Sequence, residues 1–335
     1  MRLVSCSTVI FTPLFALFLP QTAASSQTTL RVPPKIPQYV YEYAPLVWLY
    51  STDSYRPSDL QQQLDHTIPE VNWTAIPGAP IPLTLNNLDQ LNSLGNTSVY
   101  LTTHDGIAQE PQPSWWDGIT PDREGRTRDG TGCAIVVVDH GSGNIDAFYF
   151  YFYAEHNMIR FANGKPQAMW FSQHASGQAF TYKALEKKGK RPYAYSANGT
   201  HANYAVAGQH DHTIPGLNLP TGLLLDYTDK GILWDPTLNA YAYTYDQSTG
   251  KFTGDGESPV AWLNFNGRWG DAQPPGEPSI FGEAKYVAGP NGPKFKTLNR
   301  KKVCPSTPCI VLPFRIWAEG AGAELECDSE FVDLV

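Results

Sequence analysis

Apolar residues in this chain fall mainly in runs of strand length. Cys133-Ala-Ile-Val-Val-Val-Asp139 and Asp146-Ala-Phe-Tyr-Phe-Tyr-Phe-Tyr153 are β-branched and aromatic runs, continuous enough to predict strands buried on both faces. His140-Gly-Ser-Gly-Asn144 between them is turn chemistry. Tyr43-Ala-Pro-Leu-Val-Trp-Leu-Tyr50 is a shorter strand-like run, and the alternating Tyr241-Ala-Tyr-Thr-Tyr245 leads into Asp246-Gln-Ser-Thr-Gly250, which predicts a hairpin. Helical spacing is sparser. Ser58 to His66 predicts a short helix, with Ser58 as N-cap and Leu60 and Leu64 one turn apart. Thr84 to Leu94 predicts a second, with Leu85, Leu88 and Leu91 on one side and Gly95 as its stop, and Phe180 to Lys188 a third. The sum is a mainly β protein, an antiparallel β-sandwich-like single domain with a few short surface helices. With no repeat, charge block or low-complexity linker to divide it, the stretch 39–335 reads as one β-rich domain after an extended, proline-rich lead-in at 25–38.

The N-terminus changes the compartment. One cation at Arg2, an apolar run from Val9 to Leu19 and small residues near Ala23 and Ala24 have the layout of a secretory signal peptide over 1–24, cleaved after Ala24. No later stretch reaches transmembrane length. Three acceptor triplets for N-glycosylation, at Asn72, Asn96 and Asn198, fit the same route. So do the four cysteines left once the leader is removed, for which two disulfides are expected. Cys304 and Cys309 would close a small loop, leaving Cys133 and Cys327 as a long-range pair. A formal charge of −8, with basic clusters only at Lys187 to Arg191 and Arg300 to Lys302, argues against binding the phosphate backbone of nucleic acids. Both clusters read as solvated faces.

Candidate chemistry concentrates in Met169 to Tyr204, where His174 stands in Ser-Gln-His-Ala-Ser-Gly and His201 in Asn-Gly-Thr-His. Two turns after apolar runs, each presenting one imidazole, predict one site built on rigid strand ends. Glu155, His156 and Asp226 would join them if their strands are neighbours, so Glu155, His174, His201 and Asp226 are the candidate ligands of a divalent metal ion. His210-Asp-His212 adds two imidazoles on one face of an extended segment. Other arrangements are weaker. Ser172 or Ser176 beside His174 lacks a nucleophile-elbow motif, and Asp226 with Asp235 is only one of many carboxylate pairs. Trp115-Trp116 in a proline-flanked loop is the most exposed-looking aromatic pair for a sugar or lipid surface.

Several of these pieces carry a resemblance. Phe148-Tyr-Phe-Tyr-Phe-Tyr153, Glu155-His-Asn-Met-Ile-Arg-Phe161, Ser172-Gln-His-Ala-Ser-Gly-Gln178, Arg191 to Tyr204, Asn266-Gly-Arg-Trp-Gly-Asp271 and Ala288-Gly-Pro-Asn-Gly-Pro293 resemble the family named for vacuolar protein sorting-associated protein 62, over roughly Tyr39 to Pro293. The resemblance implies a fungal secretory-pathway protein tied to vacuolar delivery, located in the vacuolar lumen or outside the cell. It implies a trafficking-related role without an assigned reaction, to which the aromatic-rich, acidic β scaffold adds the expectation of a binding module for an unknown protein or glycan ligand. Family members carry a loop ending in Gly-Asp-Trp before the Glu-His, whereas here Ala154 runs straight into Glu155-His156, an apparent internal deletion that could shift strand register. The acidic-aromatic-acidic-His cluster of that loop is also similar to the metal motif of necrosis-inducing, cytolysin-like proteins. That likeness supplies the alternative reading, a metal-dependent hydrolase or toxin-like protein using Glu155, His174 and His201.

Overall fold

The aromatic and β-branched runs form the centre of an eight-stranded sheet in the computed structural model, which describes residues 36–315 apart from 107–108, 153–154, 214–221, 277–278, 281–282 and 285–286. Five consecutive strands, Cys133–Gly141, Asn144–Tyr151, His156–Ala162, Lys165–Gln173 and Ser176–Thr181, make an antiparallel meander. Ala240–Asp246 adds parallel to the first of them and Val311–Leu312 parallel to the last, so the sheet is mixed. Lys251–Gly254 pairs antiparallel with Ala240–Asp246 to complete the expected hairpin, whose turn Asp246 closes by accepting from Ser248 N and Thr249 Oγ1.

Both faces of this sheet are buried because side chains alternate across it. Ile135, Val137, Tyr149 and Phe171 pack with Val47, Leu49, Ala194 and Trp234 of a second sheet. In that sheet Leu46–Leu49 lies between Arg191–Ser196, parallel, and Ile232–Trp234, antiparallel. Those two sheets are the sandwich. The opposite face carries Val136, Phe148, Phe150, Met158 and Trp170 against Leu60, Leu64, Leu88, Leu91 and Trp262. The described residues belong to one compact unit, Pro34–Val335. Within it no described helix is long and apolar enough to cross a membrane. The signal peptide at 1–24, most of the lead-in and Cys327 lie outside the described residues.

Several local expectations need correction. Helix Gln38–Glu42 begins inside the stretch expected to be extended. Helix Leu60–Asp65 is capped by Asp59, whose carboxylate accepts from Gln61 N and Gln62 N, while Ser58 bonds Gln62 Oε1. Only Leu88–Ser93 of the second predicted helix is helical, as a 3-10 segment. There the Asn87 side chain accepts from Thr84 N and holds the chain in a turn instead. Gly95 is not a left-handed stop; a Cβ there would lie 2.6 Å from the Val71 side chain. Phe180 sits in a strand opposite Met169, and only Tyr182–Ala184 turns, because sheet pairing overrides helix propensity.

Arg300 is the clearest departure from a solvated basic run. It is 3% exposed, with its guanidinium 4.9 Å from the Phe148 ring centroid and donating from Nη2 to His156 Nε2 at 2.7 Å. Cys304 and Cys309 form the expected disulfide, and Cys133 is a free thiol buried in the core. Burial pushes the Cys133 thiol well above its usual pKa. Asn72, Asn96 and Asn198 are all exposed. Strands Asn144–Tyr151 and His156–Ala162 pair without interruption from Asn144↔Ala162 to Phe150↔His156, and Tyr151 N donates to Glu155 O at 3.0 Å. A connection without the Gly-Asp-Trp loop therefore closes this hairpin in register.

Gly177 explains one glycine of the Ser-Gln-His-Ala-Ser-Gly motif. A Cβ there would stand 2.2 Å from Phe171 O and 2.5 Å from the Trp170 ring. Gly177→Ala is expected to lower unfolding free energy by about 1–3 kcal/mol, read as a lower denaturant midpoint at unchanged m.

Candidate functional site

The His174 turn is the two-residue loop between Gln173 and Ser176, which pair across the hairpin. His174 takes φ 51° there, a left-handed conformation that suits the first position of a primed hairpin turn. The His201 turn follows the end of Arg191–Ser196 and returns through Asn203–Tyr204, with His201 at φ 57°. The two turns are joined by side chain to backbone as well, since Gln173 Nε2 donates to Asn203 O at 3.0 Å.

Asp226 is where they meet. It lies on Leu225–Thr228 opposite His210 of Gly208–Asp211, and is 2% exposed. Its carboxylate is 2.8 Å from His174 Nε2 and accepts from Thr200 Oγ1 at 2.8 Å and from Tyr204 Oη at 2.6 Å. Burial alone would raise its pKa, but the bonds from His174 and Tyr204 outweigh it and hold the carboxyl below its ordinary value. His212, two residues past His210 on the same face, stacks on His174 with ring centroids 4.2 Å apart. One ligand atom each from His174, His212 and Asp226 can be chosen so that all lie within 4.8 Å of one another.

His201 stands one step away. Its Nε2 is 3.2 Å from Asp53 Oδ2, and Asp53 also accepts from Gly199 N and Tyr55 N. Here too burial would raise the carboxyl pKa, and the bonds from His201 and the two backbone N–H groups hold it down. The turn Asn198 to His201 is thus fixed at both ends by buried carboxylates, Asp226 through Thr200 and Asp53 through Gly199 and His201.

The four expected ligands are therefore only partly assembled. His174 and Asp226 come together; His201 pairs with Asp53. Glu155 accepts from Ser172 Oγ and interacts with the His174 backbone, and burial pushes its pKa up against the opposing pull of that hydroxyl. His156 points into the core beside Phe150, their rings tilted with centroids 5.1 Å apart, and is bonded to Arg300. It is a core residue. The chain misses in sequence what pairing supplies: nothing local links 208–212 to 174, although the period-two spacing of His210 and His212 marks one face. Asp53 has no sequence signal of its role. His210 itself is buried, stacked on Tyr204 at 3.8 Å, and burial pushes its pKa down to about 4.

Other candidates take structural places. Asp235 is paired bidentately with Arg191, at 2.5 and 2.7 Å, and does not face Asp226 as a second carboxylate. Trp115 stacks on His66 at 4.4 Å and donates to Asp105, so the tryptophan pair packs rather than projects. A cavity of about 200 Å³ elsewhere is walled by Phe150, Phe152, Trp262, Trp269 and Lys296; the Trp269 indole nitrogen is buried with no hydrogen-bond partner among the described residues.

Fold and site define a mainly β protein that presents histidines from the turns closing its strand pairs, each backed by a buried carboxylate. Comparison with known proteins gives the family. The chain is 34% identical over 371 residues to vacuolar protein sorting-associated protein TDA6 of Saccharomyces cerevisiae, an alignment covering 92% of this chain and 77% of that protein. It is 31% identical over 351 residues to vacuolar protein sorting-associated protein 62 of the same yeast, covering 85% of this chain and 71% of that one. The chain belongs to the vacuolar protein sorting-associated protein 62 family. Both alignments are longer than the 335 residues of this chain, so the yeast proteins carry inserted residues. No protein-family profile matches the chain, and neither does any solved structure.

The buried His156 sets a pH dependence. Burial, with the Arg300 cation beside it, lowers its pKa well below 6.5, so the folded protein keeps it neutral where the unfolded chain takes up a proton. Its contribution is complete above pH 6.5 and is lost as pH falls below that value toward the folded pKa. The expected loss from this group is about 1.4 kcal/mol per pH unit. Urea unfolding of the wild type and of His156→Phe from pH 7 to 5 reads it, the variant showing the smaller slope.

Proposed function

We propose that this chain is a binding module of vacuolar protein delivery, carried along the secretory route and facing the vacuolar lumen or the outside. The two yeast relatives are named for vacuolar protein sorting, which supports the delivery role. The observation that carries the binding surface is the Asn198 to His201 turn, anchored by Asp226 on one side and Asp53 on the other, which makes the His174 and His201 turns one stiff polar patch. A stiff patch meets a protein or glycan ligand without first paying an ordering cost in entropy. The exposed acceptors at Asn72, Asn96 and Asn198 and the Cys304–Cys309 disulfide are in keeping with an oxidising, glycosylating route. A glycan at Asn198 would stand at the edge of the patch.

The alternative, a metal-dependent hydrolase or toxin-like protein, is favoured by the imidazoles and carboxylate at His174, His212 and Asp226. It loses His201 as a ligand, since that side chain lies with Asp53.

The test is delivery. In cells lacking the endogenous chain, a His174→Ala/His201→Ala protein of unchanged thermal midpoint is expected to leave a soluble vacuolar hydrolase secreted several-fold more than the wild type does. Wild-type delivery by that double variant would remove the patch from the function.

A further inference from the structure

We propose that His174, His212 and Asp226 form a binding site for a divalent transition-metal ion of the zinc class. Three observations carry it. The ligand atoms come from separate segments, the hairpin loop after Lys165–Gln173, the end of Gly208–Asp211 and the middle of Leu225–Thr228, yet lie within 4.8 Å of one another. A zinc ion with bonds of about 2.1 Å holds tetrahedral ligands roughly 3.4 Å apart. His174 Nε2 and Asp226 Oδ2 stand at 2.8 Å, so the ion takes the place of the hydrogen between them with a small side-chain adjustment.

The second observation is the charge balance at Asp226. Buried Asp146 is gripped by the Arg160 guanidinium and buried Asp235 by that of Arg191. Among the described residues Asp226 has no Lys or Arg partner; its ion-pair partner is His174, and its side chain is only 1% exposed. A carboxylate so far from water without a fixed cation is the arrangement a metal ion completes.

The third is support for the carboxylate from behind. Thr200 and Tyr204 both donate hydroxyl hydrogens to it, as outer partners do when they orient a ligating carboxylate. Two imidazoles and one carboxylate select zinc or a neighbouring transition metal over calcium or magnesium, which prefer oxygen donors alone. Among the described residues three ligands leave a coordination position for water or a ligand's oxygen donor, with His174 exposed beside it.

This site belongs to the same turn cluster as the proposed binding surface. It is tested on the isolated full chain, so loss of metal binding and loss of vacuolar delivery are read separately. Protein stripped with a chelator is titrated calorimetrically with zinc alone and, in parallel, with calcium alone. The expected result is one zinc per chain and no calcium uptake. Affinity should fall about 100-fold or more in His212→Ala and about 10–100-fold in Thr200→Val, where only the support of the carboxylate is lost. His104→Ala, at an exposed histidine outside the cluster, should bind like the wild type. His212 stands at a strand end, so its alanine variant, checked by an unchanged thermal midpoint, keeps the test open if Asp226→Asn fails to fold. Zinc uptake below stoichiometry, full zinc affinity in folded His212→Ala, or calcium bound in preference to zinc would each overturn the assignment.

Discussion

The buried carboxylate of Asp226 is the constraint on which the site depends. Its contacts draw together the hairpin loop at His174, the Thr200 turn and the short strand ending at Tyr204. A buried charge is tolerated only when its neighbours supply hydrogen bonds that replace water, and each of those neighbours is thereby fixed. Tyr204 is in turn stacked on His210, and His210 bonds Thr228 two residue pairs along from Asp226. The polar network therefore braces the hairpin that carries His212 against the loop that carries His174.

The central sheet provides the rigid base for this network. Its meander is buried on both faces, so a slip of one residue would put Phe148 and Phe150 in the place of Tyr149 and Tyr151. The Tyr149 and Tyr151 hydroxyls are matched to Val40 O and Asn157 Oδ1, partners that phenylalanine cannot use. That matching holds the hairpin at 144–162 in one register even with a short connection. On the far face Arg300 plays a comparable part, clamping the segment after residue 293 to the sheet through His156, Phe148 and Trp170.

Placing the site on such a base separates two kinds of histidine. His156 and His210 are buried, with pKa values pushed down, and serve packing. His174 and His212 stand at a turn and a strand end, where an imidazole keeps access to a ligand while its backbone is held, and His201 lies mostly covered beside Asp53. Glu155 and His156 are neighbours in the chain but take different partners, Ser172 for the first and Arg300 for the second, so the pair is not a single motif. Their adjacency in sequence is what made them look like a site.

The strand runs, the hairpin at Asp246, the leucine cores and the signal for a mainly β sandwich were all legible in the sequence, because side-chain period and turn chemistry are local. His174, His201 and Asp226 were legible as candidate residues, and the family was legible from its ordered motifs. Which of these residues meet was not. The parallel strand order, the pairing of His201 with Asp53, the addition of His212 and the removal of His156 to the core all follow from strand neighbours far apart in the chain. Contacts at a sequence separation such as the 52 residues between His174 and Asp226 are decided by how whole sheets bury their faces, and a linear pattern does not contain that information.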